Sequence, residues 1–380
     1  MAKDRKLYTL YFFFLCNFVA MGMTTYAGKY YGEIGLTDGQ IGLIAAVLAL
    51  VGLFAQPAWG IWADRAKAMR SILFVALLGA GLLCFLVPLA ASGFVPLLLV
   101  LTLYNTFFLP TVPVSNALAI EYTRLQGRGF GPVRMMGTIG YQVGILGTGF
   151  LLAGSLSGLY PAMGVVMVFT AGIALFLPRV QATPEAKADL SVFFKDRDLL
   201  LLFALAFLAN IGHQFNLTFF TKHLGDLGMS NAVTGMISAL SPMLEVPFLF
   251  FGDRIMKRFS IWTWMRIGLV VGALRFGLLA LVKAPALIIL VQLLSIAHFS
   301  CFEFFPYIYL GSVTRKDLLA SAQSVYQMIT FGIARIVASL LGGAISDAAG
   351  IPFVYGLCAG IMAVAVLAFY RPMREREISS

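Results

Sequence analysis

The sequence predicts an all-α membrane protein with twelve transmembrane helices, arranged as two pseudo-symmetric six-helix bundles with both termini in the cytoplasm. Composition, regularly spaced apolar stretches and an internal repeat support this fold class. Hydrophobic residues make up 60% of the 380 positions and charged residues only 12%. Soluble domains carry about 25% charged residues. The composition therefore excludes an ordinary soluble domain and indicates a chain that lies within the lipid bilayer.

Apolar stretches recur along the whole chain, and most are about 20 residues long, the length that crosses a roughly 30 Å hydrocarbon core as a helix. The first stretch is longer than the apolar part of a secretory signal, so we interpret it as a retained helix. The twelve stretches are 7–28, 40–59, 71–91, 95–118, 134–154, 158–178, 199–220, 232–251, 262–281, 286–309, 322–343 and 350–370.

Basic residues indicate how these helices are oriented. They are concentrated in every second connection, on the side of the N-terminus, whereas the opposite connections carry only Lys29, Lys222 and Lys283. Cytoplasmic loops carry such an excess of Lys and Arg, which places both termini in the cytoplasm. This distribution also explains the net charge of +10 without a nucleic-acid partner.

An internal repeat divides the chain into two halves. The segment "GLTDGQIGLI" at 35–44 recurs as "GMSNAVTGMI" at 228–237, and each opens an apolar helix that ends in Asp-Arg. Duplicated helical units are typical of transporters that move two halves around a central site. The predicted organisation is an N-terminal bundle at 1–179, a cytoplasmic linker at 180–198 and a C-terminal bundle at 199–380.

The first Asp-Arg pair belongs to a longer pattern, Gly60-x-x-x-Asp64-Arg65-x-Lys67-x-x-Arg70. This pattern resembles the signature between the second and third helices of the major facilitator superfamily, although Ala66-Lys67-Ala68 replaces the usual Gly-Arg pair. A carboxylate and a guanidinium at facing helix ends can latch one conformation and release it in another. We assign gating to these residues and to Asp253 and Arg254; alternatively, the basic residues only anchor the chain at the cytoplasmic surface.

Within the superfamily, the chain resembles the oligosaccharide–proton symporters and the related phenylpropionate-permease-like carriers. The segment "FGPVRMMGTIGY" at 130–141 is similar to the opening of their fifth helix. The resemblance implies that Arg134 binds substrate and that Tyr141 takes the place of a family tryptophan. Asn116 departs from the family, since it lies near the position of a carboxylate.

The C-terminal half carries the same resemblance at Glu245, Arg275 and His298, which match the family's glutamate, arginine and histidine in its eighth, ninth and tenth helices. Ser295 and Cys301 are departures, because they stand where the family has a lysine and its proton-coupling glutamate. Glu303, two residues later, is our candidate substitute.

Ionisable residues inside transmembrane helices are costly and are usually functional. We assign proton coupling to Glu303, His298, Glu245, Arg275 and Arg335, because a carboxylate or imidazole beside a guanidinium can bind and release a proton during turnover. On a regular helix Glu303 lies about 140° from His298, so the two residues are expected to face different neighbours. The alternative is a static Glu303–Arg335 pair and a core histidine.

Amide and aromatic side chains complete the predicted substrate site. They either line the cavity or act as hydrogen-bonding glue between helices, as is common in membrane bundles. Asn210, His213 and Gln214 share one helix face, and an aromatic ring can stack on a sugar or base. The candidates are Asn17, Tyr26, Asn116, Arg134, Tyr141, Asn210, His213, Gln214, Glu245 and Gln327.

The predicted function is proton-coupled uptake of a small polar solute, such as a sugar, nucleoside or aromatic acid, by alternating access. The chain has no nucleotide-binding Gly-x-x-x-x-Gly-Lys-Ser/Thr loop and no nucleophile–base pair or metal cluster, so we expect neither an enzyme nor a cofactor. Efflux is the alternative, although residues 137–150 lack the Gly-Pro motif of drug antiporters. A channel or solute-sensing receptor is the alternative from another class. The expected setting is a monomer in the bacterial cytoplasmic membrane.

Overall fold

A computed structural model describes residues 5–65, 69–180, 196–314 and 318–370, and every regular element among them is helical. Most of the predicted linker lies outside the described residues. Ten helical segments in the described part are long and apolar enough to cross a membrane. The all-helical membrane architecture predicted from the sequence is therefore confirmed.

Helices of the N-terminal half follow the predicted apolar stretches. The first span is α1, which continues through a 3₁₀ turn (Thr24–Tyr26) into α2, and the fourth span consists of α5 followed by α6. The helices are α1 (Arg5–Met23), α2 (Ala27–Glu33), α3 (Asp38–Arg65), α4 (Met69–Ala90), α5 (Phe94–Phe108), α6 (Thr111–Leu125), α7 (Gly131–Leu151) and α8 (Leu159–Ala174).

Helices of the C-terminal half include two spans that are interrupted by π-helical turns. The first π-helical turn (Ser300–Phe304) joins α13 to α14, and the second (Met328–Ile333) joins α15 to α16. The helices are α9 (Arg197–Asp226), α10 (Asn231–Met256), α11 (Ile261–Leu281), α12 (Pro285–Leu293), α13 (Ser295–Phe299), α14 (Phe305–Val313), α15 (Leu319–Gln327), α16 (Ala334–Ala349) and α17 (Ile351–Ala368).

The chain forms two compact units. Unit 1 contains the described residues of 1–36, 47–186 and 230–236, and unit 2 contains those of 37–46, 187–229 and 237–380. The start of α3 therefore belongs to unit 2, although α3 lies in the N-terminal half of the sequence. The start of α10, in the C-terminal half, belongs to unit 1.

Glycines bring helices into backbone contact within unit 1. A Cβ atom on Gly140 would lie 2.2 Å from the carbonyl oxygen of Leu15, and one on Gly144 would lie 2.2 Å from that of Val19. The glycines of α7 therefore allow α1 to pack directly against its backbone, as small residues do in membrane bundles.

Aromatic side chains fill the core of unit 2 between α9, α11 and α17. The rings of Phe276 and Tyr355 are stacked at 6.0 Å, and Phe215 meets Tyr355 edge-on at 5.3 Å. The hydroxyl of Tyr355 donates a hydrogen bond to Asn216 Oδ1 (3.0 Å). This core supports the polar cluster described next.

Candidate functional site

Two histidines form the centre of a buried polar cluster in unit 2. The rings of His213 (α9) and His298 (α13) are stacked at 5.1 Å with an interplanar angle of 15°. Arg275 (α11) interacts electrostatically with both imidazoles, and its Nη2 donates a hydrogen bond to Gln292 Oε1 (2.9 Å). His298 is completely buried, and neither ring nitrogen has a hydrogen-bond partner within the described part of the chain. The fold thus brings His298, Arg275 and His213 together.

Glu303 lies in the first π-helical turn and is half-buried. Its carboxylate interacts electrostatically with Tyr307 on the same span and with Tyr326 on α15. The angle of about 140° to His298 assumed a regular α-helix, and this assumption is wrong. A π-helical turn has wider i→i+5 hydrogen bonds, and such turns are frequent at functional sites.

Arg335 is the second residue of α16 and is half-buried. It lies two residues after the end of the second π-helical turn. The charged candidates on the tenth and eleventh predicted spans therefore both lie in or beside a π-helical turn.

Amide side chains of the C-terminal candidates take different roles. Asn210 donates to the carbonyl of Ala206 in its own helix (2.9 Å), whereas Gln214 donates to Thr330 O (3.0 Å) and links α9 to the second π-helical turn. Gln327 is exposed and forms a side-chain hydrogen bond with Tyr307.

In unit 1, Arg134 is exposed in the first turn of α7, and its guanidinium carbon lies 4.7 Å from the ring centroid of Phe18. The hydroxyl of Tyr141 lies 3.3 Å from Thr25 Oγ1. The predicted arginine is thus available to a ligand and held by a cation–π contact.

The other candidates of unit 1 are more enclosed. Asn17 is 1% exposed, and neither its Oδ1 nor its Nδ2 has a hydrogen-bond partner among the described residues. Asn116 Oδ1 also has no partner among these residues. Tyr26 is fully buried and donates to Asn231 O (3.0 Å). Its ring serves packing in this structure and presents no open face for stacking.

The gating candidates are only partly described. Arg70 Nη1 donates to the carbonyls of Leu175 (3.0 Å) and Leu177 (3.2 Å), just beyond α8. Arg254 is exposed. The candidates whose side chains lie outside the described part are Gly60, Asp64, Arg65, Lys67, Glu245 and Asp253.

Sequence reasoning missed an ionic cluster in unit 2. Lys222 Nζ lies 3.0 Å from Asp38 Oδ1 and 2.8 Å from Asp226 Oδ2, and Thr37 donates to Asp347 Oδ2 (3.0 Å). The i,i+4 spacing of Lys222 and Asp226 could have predicted their ion pair. Nothing in the sequence predicted that Asp38, far away in the chain, would pair with the same lysine.

Apolar helices that enclose a histidine–arginine cluster are typical of multi-pass membrane transporters. The chain belongs to the MFS_1 like family, whose sequence profile matches residues 5–357. The predicted resemblance to the major facilitator superfamily is therefore confirmed.

Relatives and solved structures agree with this assignment. The chain is 27% identical to the xanthosine permease of Escherichia coli (82% of this chain, 80% of the relative). It is also 27% identical to the maltose permease of Geobacillus stearothermophilus (72% and 71%). The crystal structure of nucleoside transporter NupG is similar in fold, with a TM-score of 0.85, 20% identity and coverage of 97% of this chain and 98% of that one.

Proposed function

We propose that the chain is a proton-coupled uptake carrier for nucleosides that works by alternating access. The similarity to the xanthosine permease and to the nucleoside transporter NupG favours a nucleoside, and the similarity to the maltose permease makes a sugar the second candidate. Both substrate classes present a ring rich in hydroxyl groups. The absence of a Gly-Pro motif in residues 137–150 favours uptake over efflux.

The observation that carries the proposal is one cluster of unit 2 in which His298 and Arg275 are buried and the half-buried His213 is stacked on His298. Ionisable side chains in a transmembrane bundle mark proton relays and substrate pathways, because they are costly to place in lipid. A cluster of this kind gives a proton a place to bind that depends on the surrounding helix packing.

Glu303 takes the role of coupling carboxylate in this proposal, with His298, Arg275, Glu245 and Arg335 as the ionisable groups that set its charge state. Proton binding must precede turnover of the loaded carrier, and proton release must follow it.

Substrate recognition is assigned to the polar candidates of both halves. A guanidinium offers five donors in a planar fork, which suits hydroxyl groups as well as a carboxylate. The unsatisfied amide atoms of Asn17 and Asn116 support this role, since buried polar groups are normally hydrogen-bonded. The same role is assigned to Tyr141 in unit 1 and, in unit 2, to Asn210, His213, Gln214 and Gln327.

We further propose that α7 and α10 cross the membrane together with the ten apolar helical segments, which gives twelve spans and cytoplasmic termini. Reporter fusions that fluoresce only in the cytoplasm, placed at each terminus, test this topology. Signal at both ends is expected, and a silent fusion at one end contradicts an even number of spans.

The proposed coupling is tested with Glu303→Gln in proteoliposomes. This variant mimics the protonated carboxylate, so it should exchange substrate across the membrane but fail to accumulate it under a proton gradient. Uptake is measured with a panel of labelled xanthosine, uridine, maltose and 3-phenylpropionate. The matched control is Glu121→Gln, because Glu121 is paired with Arg124 at the end of α6, away from the cluster.

Proton-driven accumulation by Glu303→Gln would remove the coupling role from Glu303. Uptake that does not saturate and shows no counterflow would instead indicate a channel. Accumulation of maltose alone would move the substrate assignment from nucleosides to sugars.

A further inference from the structure

The span that carries Glu303 has a backbone irregularity two residues further on. Pro306 has no N–H group, and in a regular α-helix that group would donate to the carbonyl of Phe302, four residues earlier. The first π-helical turn lies at this place, and the N–H of Phe305 donates to Ser300 O. The carbonyl of Phe302 has thus lost its α-helical donor and is open to a donor from another helix.

Tyr326 on α15 supplies a donor to this carbonyl. Its side chain is completely buried, and its hydroxyl donates a hydrogen bond to Phe302 O. Its ring meets that of Tyr307 edge-on at 5.5 Å and lies 6.3 Å from that of Phe203. The hydroxyl of Tyr326 therefore attaches α15 to the backbone one residue away from Glu303.

This hydrogen bond is the last of a series that crosses three spans. Gln214 on α9 donates to Thr330 O (3.0 Å), and Thr330 Oγ1 donates to Tyr326 O (2.9 Å). Both π-helical turns thus accept a side-chain hydrogen bond at a backbone carbonyl. The series fixes the wide turns relative to each other and to α9.

We propose that Tyr326 is a positioning residue that holds the first π-helical turn, and thereby sets the orientation in which Glu303 binds and releases its proton. This inference rests on the proposed coupling role of Glu303. Without the hydroxyl, the carbonyl of Phe302 loses its cross-helix donor, and the turn can relax toward other arrangements.

Ionisable groups of several elements lie around the first π-helical turn, and on α13 the ring of His298 lies 5.2 Å from that of Phe302 in the turn. Tyr307 and Tyr326 interact with the carboxylate of Glu303, and Cys301 lies in the same turn. The ionisable groups of α9 and α11, which also pack against the turn, have other partners nearby: His213 and Arg275 meet His298, and the guanidinium of Arg266 lies 5.7 Å from the ring centroid of Tyr370.

The test is Tyr326→Phe, which removes only the hydroxyl. The matched control is Tyr160→Phe, since Tyr160 is buried in unit 1 and its hydroxyl also makes one side-chain hydrogen bond, with that of Tyr31. Accumulation and counterflow of the panel compound that the wild-type carrier accumulates are measured between pH 5 and pH 9. The midpoint, the pH at which accumulation is half-maximal, should shift by about half a pH unit or more in Tyr326→Phe, with counterflow retained. Tyr160→Phe should keep the wild-type midpoint.

A second variant, Pro306→Ala, separates positioning from general stability. Alanine restores an N–H group that can donate to Phe302 O, so Pro306→Ala should bring the midpoint of Tyr326→Phe back toward the wild-type value. If Tyr326→Phe alone does not fold, the double variant carries the test. A folded double variant with the wild-type midpoint supports the inference, and one that fails to fold overturns it.

A wild-type pH profile in Tyr326→Phe would overturn the positioning role while leaving the coupling role of Glu303 intact, provided that Glu303→Gln is uncoupled. Proton-driven accumulation by Glu303→Gln would instead overturn the proposed coupling itself. The two failures are therefore distinguishable in the same assay.

Discussion

The two copies of the repeated segment share their backbone geometry but differ in their polar chemistry. Residues 37–46 pack within unit 2 and residues 230–236 within unit 1. Each copy follows a glycine with positive φ, Gly35 (86°) or Gly228 (80°), which ends the preceding helical segment. Each also has a glycine in its first helical turns, Gly42 or Gly235, that approaches a neighbouring helix closely.

The polar contacts include an ion pair in the first copy, whereas those of the second copy are hydrogen bonds, one of them donated by Lys29 to Thr234 (3.3 Å). Asp38, which opens α3, pairs with Lys222, and both side chains are at most 15% exposed. Asn231, which opens α10, donates to Leu152 O (2.7 Å) and accepts at its own carbonyl from Tyr26. The repeat has therefore kept the shape needed for close packing while each copy has acquired its own hydrogen-bonding partners.

The largest expected effect comes from the shared glycines. A Cβ on Gly42 would lie 2.1 Å from the carbonyl oxygen of Ser339, whereas the nearest atom to a Cβ on Gly235 is the hydroxyl oxygen of Tyr26. A backbone cannot yield as a side chain can, so Gly42→Ala should destabilise the protein by about 3 kcal/mol and Gly235→Ala by less. Thermal unfolding of the detergent-solubilised protein measures both.

The control for the glycine prediction is Gly147→Ala on α7, where a Cβ meets nothing within 4 Å. This change should be neutral or slightly stabilising, because alanine favours helix over glycine. Equal losses at Gly42 and Gly235 would show that backbone and side-chain clashes are tolerated alike and would remove this difference between the copies.

Part of this comparison was available from the sequence. The repeat, the positions of the apolar stretches and the glycines before each helix could be read directly, because they depend on local residue order. The pairing of His213 with His298 could not, since the two residues are far apart in the chain and neither has a distinctive spacing. Contacts of this kind are set by helix packing.

The π-helical turns are a second example of a contact that the sequence does not predict. Pro306 can be read from the sequence, and a proline removes one backbone hydrogen bond from a helix. The replacement donor was not predictable, because nothing in the order of the residues places the hydroxyl of Tyr326 beside the carbonyl of Phe302. The angle between His298 and Glu303 expected for a regular α-helix was wrong for the same reason, because the π-helical turn lies between the two residues and includes Glu303.

A smaller effect is expected from the charge that distinguishes the two copies. Asp38→Asn removes the ionic partner of Lys222, while Asp226 stays within 2.8 Å of its amine. The loss should be about 1 kcal/mol, and the dependence of unfolding temperature on salt should decrease, because screening acts on the charged pair. The matched variant is Asn231→Ala, which should lower stability equally at low and high salt. An unchanged salt dependence in Asp38→Asn would contradict an ionic role for this copy.

The smallest expected effect concerns the second copy, which is held by hydrogen bonds. Tyr26→Phe removes a single hydrogen bond to Asn231 O and should cost about 1 kcal/mol or less. The hydroxyl oxygen also lies 2.4 Å from the position of a Cβ on Gly235 and 2.5 Å from that on Gly149, so its removal opens space at both glycines.

Combining Tyr26→Phe with Gly235→Ala should therefore cost less than the sum of the single changes, whereas Tyr26→Phe should not relieve Gly42→Ala in the other unit. Additive losses of stability for Tyr26→Phe and Gly235→Ala would contradict this expectation. They would mean that the carbonyl of Ile145, 3.3 Å from the Cβ position on Gly235, limits how closely the helices approach. Both copies would then depend on backbone contact to the same degree.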